Sequence, residues 1–283
     1  MGWGITSAEV LKKTISLLTF SNALFQLGNR LGDGLPAEIA FAKVAAAIDD
    51  KTVLVAVTHV CYRNGSMTDI KAIVDLAHSR GVPVLVDAYQ SAGAIPINFE
   101  ELGADFLVGG VLKYMLSCPG VGFMLVNKKN VMKAIPTMTG WFAARDIFAM
   151  DIMKYDPAPD ARRFESGTPP IPSLYAAKAG LGLLLEVGLD NAWAHTKVLH
   201  NQMREGITSL GGKCATPAGV GFHAAMLAVK VTDEHAMVAA VAQDKVVISS
   251  RDSNIRISPH FYNNSEDIER LLASIAKNKH LLA

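Results

Sequence analysis

Asp87 closes a short apolar run, Val84-Leu85-Val86, and Lys113 follows twenty-six residues later in Gly109-Gly110-Val111-Leu112-Lys113-Tyr114, which another apolar run leads into. An unprotonated lysine amine attacks carbonyl carbon, and apolar and glycine neighbours on both sides disfavour its ammonium form. A carboxylate at the end of a buried strand can hold a proton on a ring nitrogen opposite it. Delivered together from strand ends, the two meet the needs of pyridoxal phosphate chemistry. There the lysine forms a Schiff base with the cofactor aldehyde, and the protonated ring accepts electrons. Read singly they say less, since Lys113 could stand on the surface and Asp87 could merely cap a helix.

The elements that must position these side chains are legible in the hydropathy pattern. A strand over 53–57, a helix over 69–80, a strand over 84–86, a helical turn over 99–102 and a strand over 105–108 alternate as in an α/β sheet. Ile70, Ile73, Val74 and Ala77 recur at helical spacing and form one buried face, whereas the flanking runs are continuously apolar, like strands covered on both sides. Gly81-Val82-Pro83 stops the helix. In such sheets ligands collect beyond the carboxyl ends of the strands, where Thr58-His59, Asp87 and Gly109-Gly110 fall.

Beyond Gly120-Val121-Gly122 the pattern gives a strand over 123–126 and a helix over 128–135, ended by Pro136. Residues 137–172 hold Gly140, Pro157, Pro159, Gly167, Pro169, Pro170 and Pro172 and read as a long crossing loop, a feature more often functional than idle. A small-residue helix over 173–189 and an amphipathic helix over 191–210 follow, and His195 and His200 read as residues of a surface bundle helix without catalytic duty. Strands over 224–231 and 246–249 and helices over 234–243 and 265–277 complete a smaller α+β unit. The expected division is a cofactor-binding large domain over 1–172, incomplete at its N-terminus, then connecting helices and a small C-terminal domain over 173–283.

The 283 residues, 50% of them hydrophobic, suffice for one large core with a smaller partner. Twenty-seven basic against twenty-six acidic side chains, with no basic block, argue against a nucleic-acid partner. Cys61, Cys118 and Cys214 are widely spaced without a CxxC pair and read as buried, reduced thiols of a cytoplasmic protein, with no metal site expected. No apolar run approaches membrane-spanning length, and Met1-Gly2-Trp3-Gly4 lacks a basic region followed by an apolar one, so neither a membrane anchor nor export is expected.

Taken together, Thr58-His59-Val60, Asp87-Ala88-Tyr89-Gln90, the segment from Gly109 to Tyr114, Arg163-Phe164-Glu165-Ser166-Gly167-Thr168-Pro169 and Arg256-Ile257-Ser258-Pro259-His260-Phe261-Tyr262-Asn263 resemble the class V aminotransferase family. Kynureninases, cysteine desulfurases and isopenicillin N epimerase-like enzymes belong to the same family. The likeness runs from about Val53 to the C-terminus and is fainter before it. It implies a fold type I, aspartate aminotransferase-like large domain with a mainly parallel sheet, a small α+β domain, and pyridoxal phosphate as cofactor. It also implies that Lys113 is the Schiff-base lysine and proton shuttle, that Asp87 holds the pyridinium proton, and that Gln90 hydrogen-bonds the ring hydroxyl oxygen. Arg256 is implied to grip the α-carboxylate of a small amino acid substrate, its guanidinium fork matching two oxygens. Gly167 and Thr168 resemble the segment that reaches a neighbour's cofactor phosphate in dimeric relatives, implying a homodimer; alternatively they form a turn before a proline-rich helix start. His59 stands beside the cofactor or packs as a strand-end histidine.

The sequence departs from the family pattern in three places. Leu112 stands where many relatives carry a His or Tyr that touches the phosphate. No Cys occurs over 249–254, where desulfurases carry theirs, and Ser249, Ser250 and Ser253 cannot form a persulfide. The family's N-terminal arm and the glycine-threonine turn that caps the phosphate have no counterpart before Met1. The chain therefore resembles an N-terminally shortened member from which weak cofactor binding is expected. Thr19-Phe20-Ser21-Asn22 resembles the segment whose aromatic stacks on the ring, which makes Phe20 a further cofactor contact. The functions that follow are an aminotransferase, a kynureninase-like or other lyase of the same family, or an inactive shortened homologue.

Overall fold

The computed structural model describes residues 41, 44–131, 133–219 and 221–283. Strands β1 (Val55–Thr58), β2 (Val84–Asp87) and β3 (Phe106–Gly110) run parallel in that order, and β4 (Gly122–Val126) pairs antiparallel with β3 at the edge. The mainly parallel sheet of the expectation is present. Helix α1 (Ile70–Ser79) joins β1 to β2, and the Asp69 side chain caps it by accepting from the Ala72 N–H at 3.0 Å. Its face of Ile70, Ile73, Val74 and Ala77 is buried against Val84, Val86 and Leu107. A short helix, α2 (Phe99–Leu102), is capped by Asn98 and ended by Gly103 at φ 69°, where only a residue without Cβ sits without strain.

Helix α3 (Lys128–Val131) is half the expected length. The Lys133 and Ala134 N–H groups both turn back to the Asn130 carbonyl, so the helix closes before Pro136 forces it to. The crossing loop is irregular except for tight helical turns at Trp141–Ala143 and Ala161–Phe164. Arg162 Nη1 donates to the Phe142 and Ala144 carbonyls at 2.9 and 2.8 Å, and buried Arg163 donates through Nε to the Ala158 carbonyl at 2.9 Å. Arginines thus supply the partners that a loop without regular structure cannot find in its own backbone.

Helices α4 (Ile171–Val187) and α5 (Leu189–Ser209) lead to a second, antiparallel sheet of order β5-β7-β6, with β5 (Leu227–Lys230), β6 (Ser249–Arg251) and β7 (Asn254–Ile257). Helices α6 (Glu234–Gln243) and α7 (Ser265–Lys277) pack against it around Met237, Val241, Ile255, Leu271 and Ile275. The expected strand over 246–249 is displaced: β6 begins at Ser249 and turns through Asp252 and Ser253 directly into β7. Both turn residues have positive φ, 55° and 60°, the geometry of a two-residue hairpin usually signalled by Asn-Gly or Asp-Gly. Without the glycine the signal for the hairpin was muted, and the strand β7 that carries Arg256 was not expected.

Two further expectations are corrected. His200 is not on a surface: it is 0% exposed on the inner face of α5, its ring stacked on that of His223 with centroids 3.9 Å apart. Cys118 is exposed rather than buried, while Cys61 and Cys214 are half-buried. Among the described residues no helix is long and apolar enough to cross a membrane, and no group of three or more His, Cys, Asp or Glu side chains is placed to hold a metal ion.

Candidate active site

The register of the parallel strands sets Thr58 opposite Asp87 and Asp87 opposite Val108, so the three carboxyl ends open at one edge. The Asp87 carbonyl accepts from the His59 N–H at 2.9 Å, and its Oδ1 accepts from the Tyr89 N–H at 2.9 Å. Its Oδ2 has no hydrogen bond among the described residues. The two glycines ending β3 have a steric purpose. A Cβ on Gly110 would strike the Tyr89 ring, and one on Gly109 would lie 2.5 Å from Cζ of Phe123. Only glycines let these two aromatic rings approach the strand end so closely.

Lys113 lies just beyond, with its Nζ 4.6 Å from the centroid of the Tyr89 ring. Burial of the amine on that side depresses its pKa first, and the positive charges of Arg256 and Arg251 push the same way against Asp87. The rest of the side chain is exposed, so the amine sits at the wall of an open cleft. Behind it, Tyr114 is buried, and its carbonyl accepts from His260 Nε2 at 3.0 Å while His260 Nδ1 accepts from the Phe261 N–H at 2.8 Å. The two contacts select one neutral tautomer and tie the lysine segment to the C-terminal part of the chain.

Arg256 reaches the same cleft from β7. Its Nη1 donates to the Tyr62 carbonyl at 2.6 Å and its Nη2 to Ser249 Oγ at 3.2 Å, while its buried Nε has no partner among the described residues. Burial and the neighbouring Arg251 lower its pKa. The loop that offers the Tyr62 carbonyl is itself held. Gly65, at φ 73°, packs where a Cβ would lie 2.5 Å from the Met226 carbonyl oxygen, and Thr216 Oγ1 donates to the Asn64 carbonyl at 2.6 Å. Arg63 pairs with Asp252 in the β6–β7 turn.

Asp87, Lys113 and Arg256, three of the residues singled out by sequence, therefore converge, with Gln90 half-buried in the turn after Asp87. His59, 8% exposed, adjoins Asp87 through the backbone, its Nδ1 lacks a partner among the described residues, and burial lowers its pKa to about 4. It is neutral near pH 7. Gly167 and exposed Thr168 are not brought to this cleft; they lie on the crossing loop near Trp141. A cleft of 620 Å³ in that loop, lined by Trp141, Ile147, Met150 and Tyr155 among others, likewise contains none of the three converging residues. Phe20 lies outside the described residues. Sequence reasoning quoted Tyr89 and His260 within motifs without giving them a role and passed over Arg251 and Arg63; the Gly109-Gly110 pair was the signal that a ring had to approach the strand end.

These residues fit pyridoxal phosphate. One carboxylate oxygen remains for a ring nitrogen, and an amine with a depressed pKa stands where a carbonyl carbon can be reached. The fold is that of the type I pyridoxal phosphate-dependent enzymes. The chain belongs to the class-V aminotransferase family, whose model, Aminotransferase class-V, matches residues 36–271. It is 38% identical over 231 residues to the uncharacterized aminotransferase YcbU of Bacillus subtilis, covering 81% of this chain and 60% of that protein. A kynureninase of Pseudomonas fluorescens is 33% identical over 144 residues, 50% of this chain and 34% of the enzyme. The chain thus spans less than two thirds of the length of these curated relatives, 60% of one and 34% of the other. Among solved structures, the apo cysteine desulfurase of Thermococcus onnurineus NA1 shares the fold with a TM-score of 0.77 at 24% identity, over 88% of this chain and 64% of that one. The cystine C-S lyase C-DES, solved with its product cysteine persulfide, does so with a TM-score of 0.75 at 23% identity, over 84% and 64%.

The charge arrangement has a measurable consequence. Replacing Arg256 with Met removes a positive charge that disfavours the Lys113 ammonium, so the pH midpoint for acylation of Lys113 should move upward, read by peptide mass spectrometry across a pH series. An unchanged midpoint would separate the two side chains electrostatically.

Proposed function

We propose that the chain is a pyridoxal phosphate-dependent enzyme acting on a small amino acid, with transamination as its reaction. The observation that carries this reading is the meeting of the Asp87 carboxylate and the Lys113 amine at adjacent ends of parallel strands, with Arg256 facing them from the second sheet. When bound, the cofactor supplies a conjugated, protonated ring that withdraws electrons from bonds at the substrate α-carbon. Asp87 would keep the ring nitrogen protonated through its uncommitted oxygen, and Gln90 would hydrogen-bond the ring hydroxyl oxygen. Lys113, with its ammonium form disfavoured, would accept at Nζ the proton that leaves the α-carbon and return it elsewhere. Arg256 would hold the α-carboxylate in a fork, fixing which α-bond faces the ring. His59 would stand beside the cofactor.

The proposal extends to assembly. Gly167 and Thr168 would serve the phosphate of a neighbouring protomer in a homodimer, a reading supported by the exposure of Thr168 on a loop that also displays Phe148, Ile152 and Met153 at 77%, 94% and 88% exposure. The division at residue 172 into a cofactor domain and a smaller C-terminal domain is supported by the separate cores of the two sheets. That Cys61, Cys118 and Cys214 form no disulfide supports a cytoplasmic setting.

A kynureninase-like lyase is the second reading, supported by the kynureninase identity over half the chain. Visible absorption during titration with pyridoxal phosphate, followed by a screen of amino acids including kynurenine, tests both: a keto acid product marks transamination and anthranilate the lyase. Cysteine in the same screen should release no sulfide above a cofactor-only control. The β6–β7 hairpin carries Ser249, Ser250 and Ser253, and burial pushes the Cys61 thiol up, away from the reactive thiolate.

Arg256→Lys keeps the charge but loses the fork, and should raise KM for the amino acid roughly tenfold or more with the cofactor spectrum unchanged. Equal steady-state kinetics in the two proteins would remove Arg256 from carboxylate recognition.

A further inference from the structure

We infer that Arg251 is a second anion contact of this cleft, and that the amino acid it receives carries an acidic side chain, of the aspartate or glutamate kind. The inference rests on the reading that Arg256 takes the α-carboxylate, and it begins with register. Ile255 and Ile257 are buried in the core beneath the second sheet, so Asn254 and Arg256 point to the opposite face. Ser249 pairs with Arg256 and Arg251 with Asn254, which puts Ser249, Arg251, Asn254 and Arg256 on one face of the hairpin. Arg251 and Arg256 are diagonal neighbours there, a separation of about 7–8 Å that two long side chains span.

The two differ in freedom. Arg256 is held by the Tyr62 carbonyl and Ser249 Oγ, as suits a contact of fixed geometry. Arg251 is exposed and, among the described residues, makes no side-chain hydrogen bond or ion pair. Its charge nevertheless acts on both Lys113 and Arg256. Asp252, the acid in the same turn, is engaged by Arg63, and Asp87 is the other acid acting on Lys113. Among the described residues, Arg63, Arg251, Arg256 and Lys113 therefore face Asp87 and Asp252, an excess of two positive charges. Like charges on one face of a hairpin repel, and an anion between them relieves the cost. A substrate α-carboxylate offsets one charge, and a side-chain carboxylate within reach of the exposed Arg251 offsets the other. The cofactor phosphate offers the same anionic chemistry, so the experiment must tell the two sources apart.

The test uses the full chain with Arg251→Met, and Arg251→Gln as a second variant, each checked by thermal melting. For the cofactor-loaded protein, the ratio of kcat/KM for aspartate or glutamate to that for alanine should fall about tenfold or more in the variants. Independently of turnover, calorimetry should show succinate binding weakened about tenfold, with acetate weakened much less, and titration with pyridoxal phosphate should give an unchanged midpoint. An unchanged ratio with unchanged succinate binding would overturn the inference. So would a loss of cofactor affinity without a loss of succinate binding, which would give Arg251 to the phosphate. Failure of Lys113 to retain the cofactor would instead sink the enzyme reading, while succinate binding would still report on the paired arginines.

Discussion

Borohydride reduction of the protein in the presence of pyridoxal phosphate is expected to fix the cofactor mass on the peptide that contains Lys113. Lys113→Ala should abolish that label and lower turnover roughly a thousandfold or more, because the nucleophile and the proton carrier are lost together. The expectation rests on the amine rather than on its sequence context alone. Desolvation and the charges of Arg256 and Arg251 disfavour the ammonium form, and the position over the Tyr89 ring leaves the Nζ at the cleft wall instead of in bulk water. Label on a different lysine in the native protein would refute the assignment whatever the activity of the variant.

Acid should destabilise the fold through two buried histidines before it affects the carboxylates. Burial holds His59 at about 4 and His200 at about 3, the latter also disfavoured by neighbouring His223 and Arg204, against an ordinary value of 6.5. The unfolded chain takes up protons below about pH 6.5 and the folded chain does not, so stability is complete above that pH and falls as pH drops toward each folded value. Between pH 8 and pH 5 the loss is about 2 kcal/mol for each histidine, a large part of the total stability of an ordinary domain. Urea unfolding at the two pH values measures it. His200→Leu should remove its share of the difference while leaving that of His59; a pH dependence identical to the native protein would show that His200 titrates normally.

The alternation of apolar runs with helical periodicity carried the first sheet faithfully. The short helix at Phe99–Leu102, α6 at Glu234–Gln243 and α7 at Ser265–Lys277 lie where the pattern puts them. Their ends are written locally, by Asn98, Asp233 and the capping box of Asn264 with Asp267. The β6–β7 hairpin was not legible, because its turn at Asp252 and Ser253 takes positive φ without a glycine and its strands are short. His200 was misjudged for a different reason. Its helix is amphipathic, but which face is covered depends on the partner, and here His223 arrives from a distant loop.

For this protein, then, the sequence by itself determined the parallel strand order's ingredients, the strand-end positions of Asp87 and Lys113, and the motifs that carry family membership. Each of these depends on periodicity and on residue types close along the chain. Only the tertiary structure decided that Arg256, brought by a hairpin of the second sheet, depresses the Lys113 pKa, that the loop carrying Tyr62 and Gly65 holds it there, and that Arg251 shares its face. Those contacts join segments far apart in sequence. The electrostatic and steric terms that shape the cleft depend on distance in space, which no local pattern encodes.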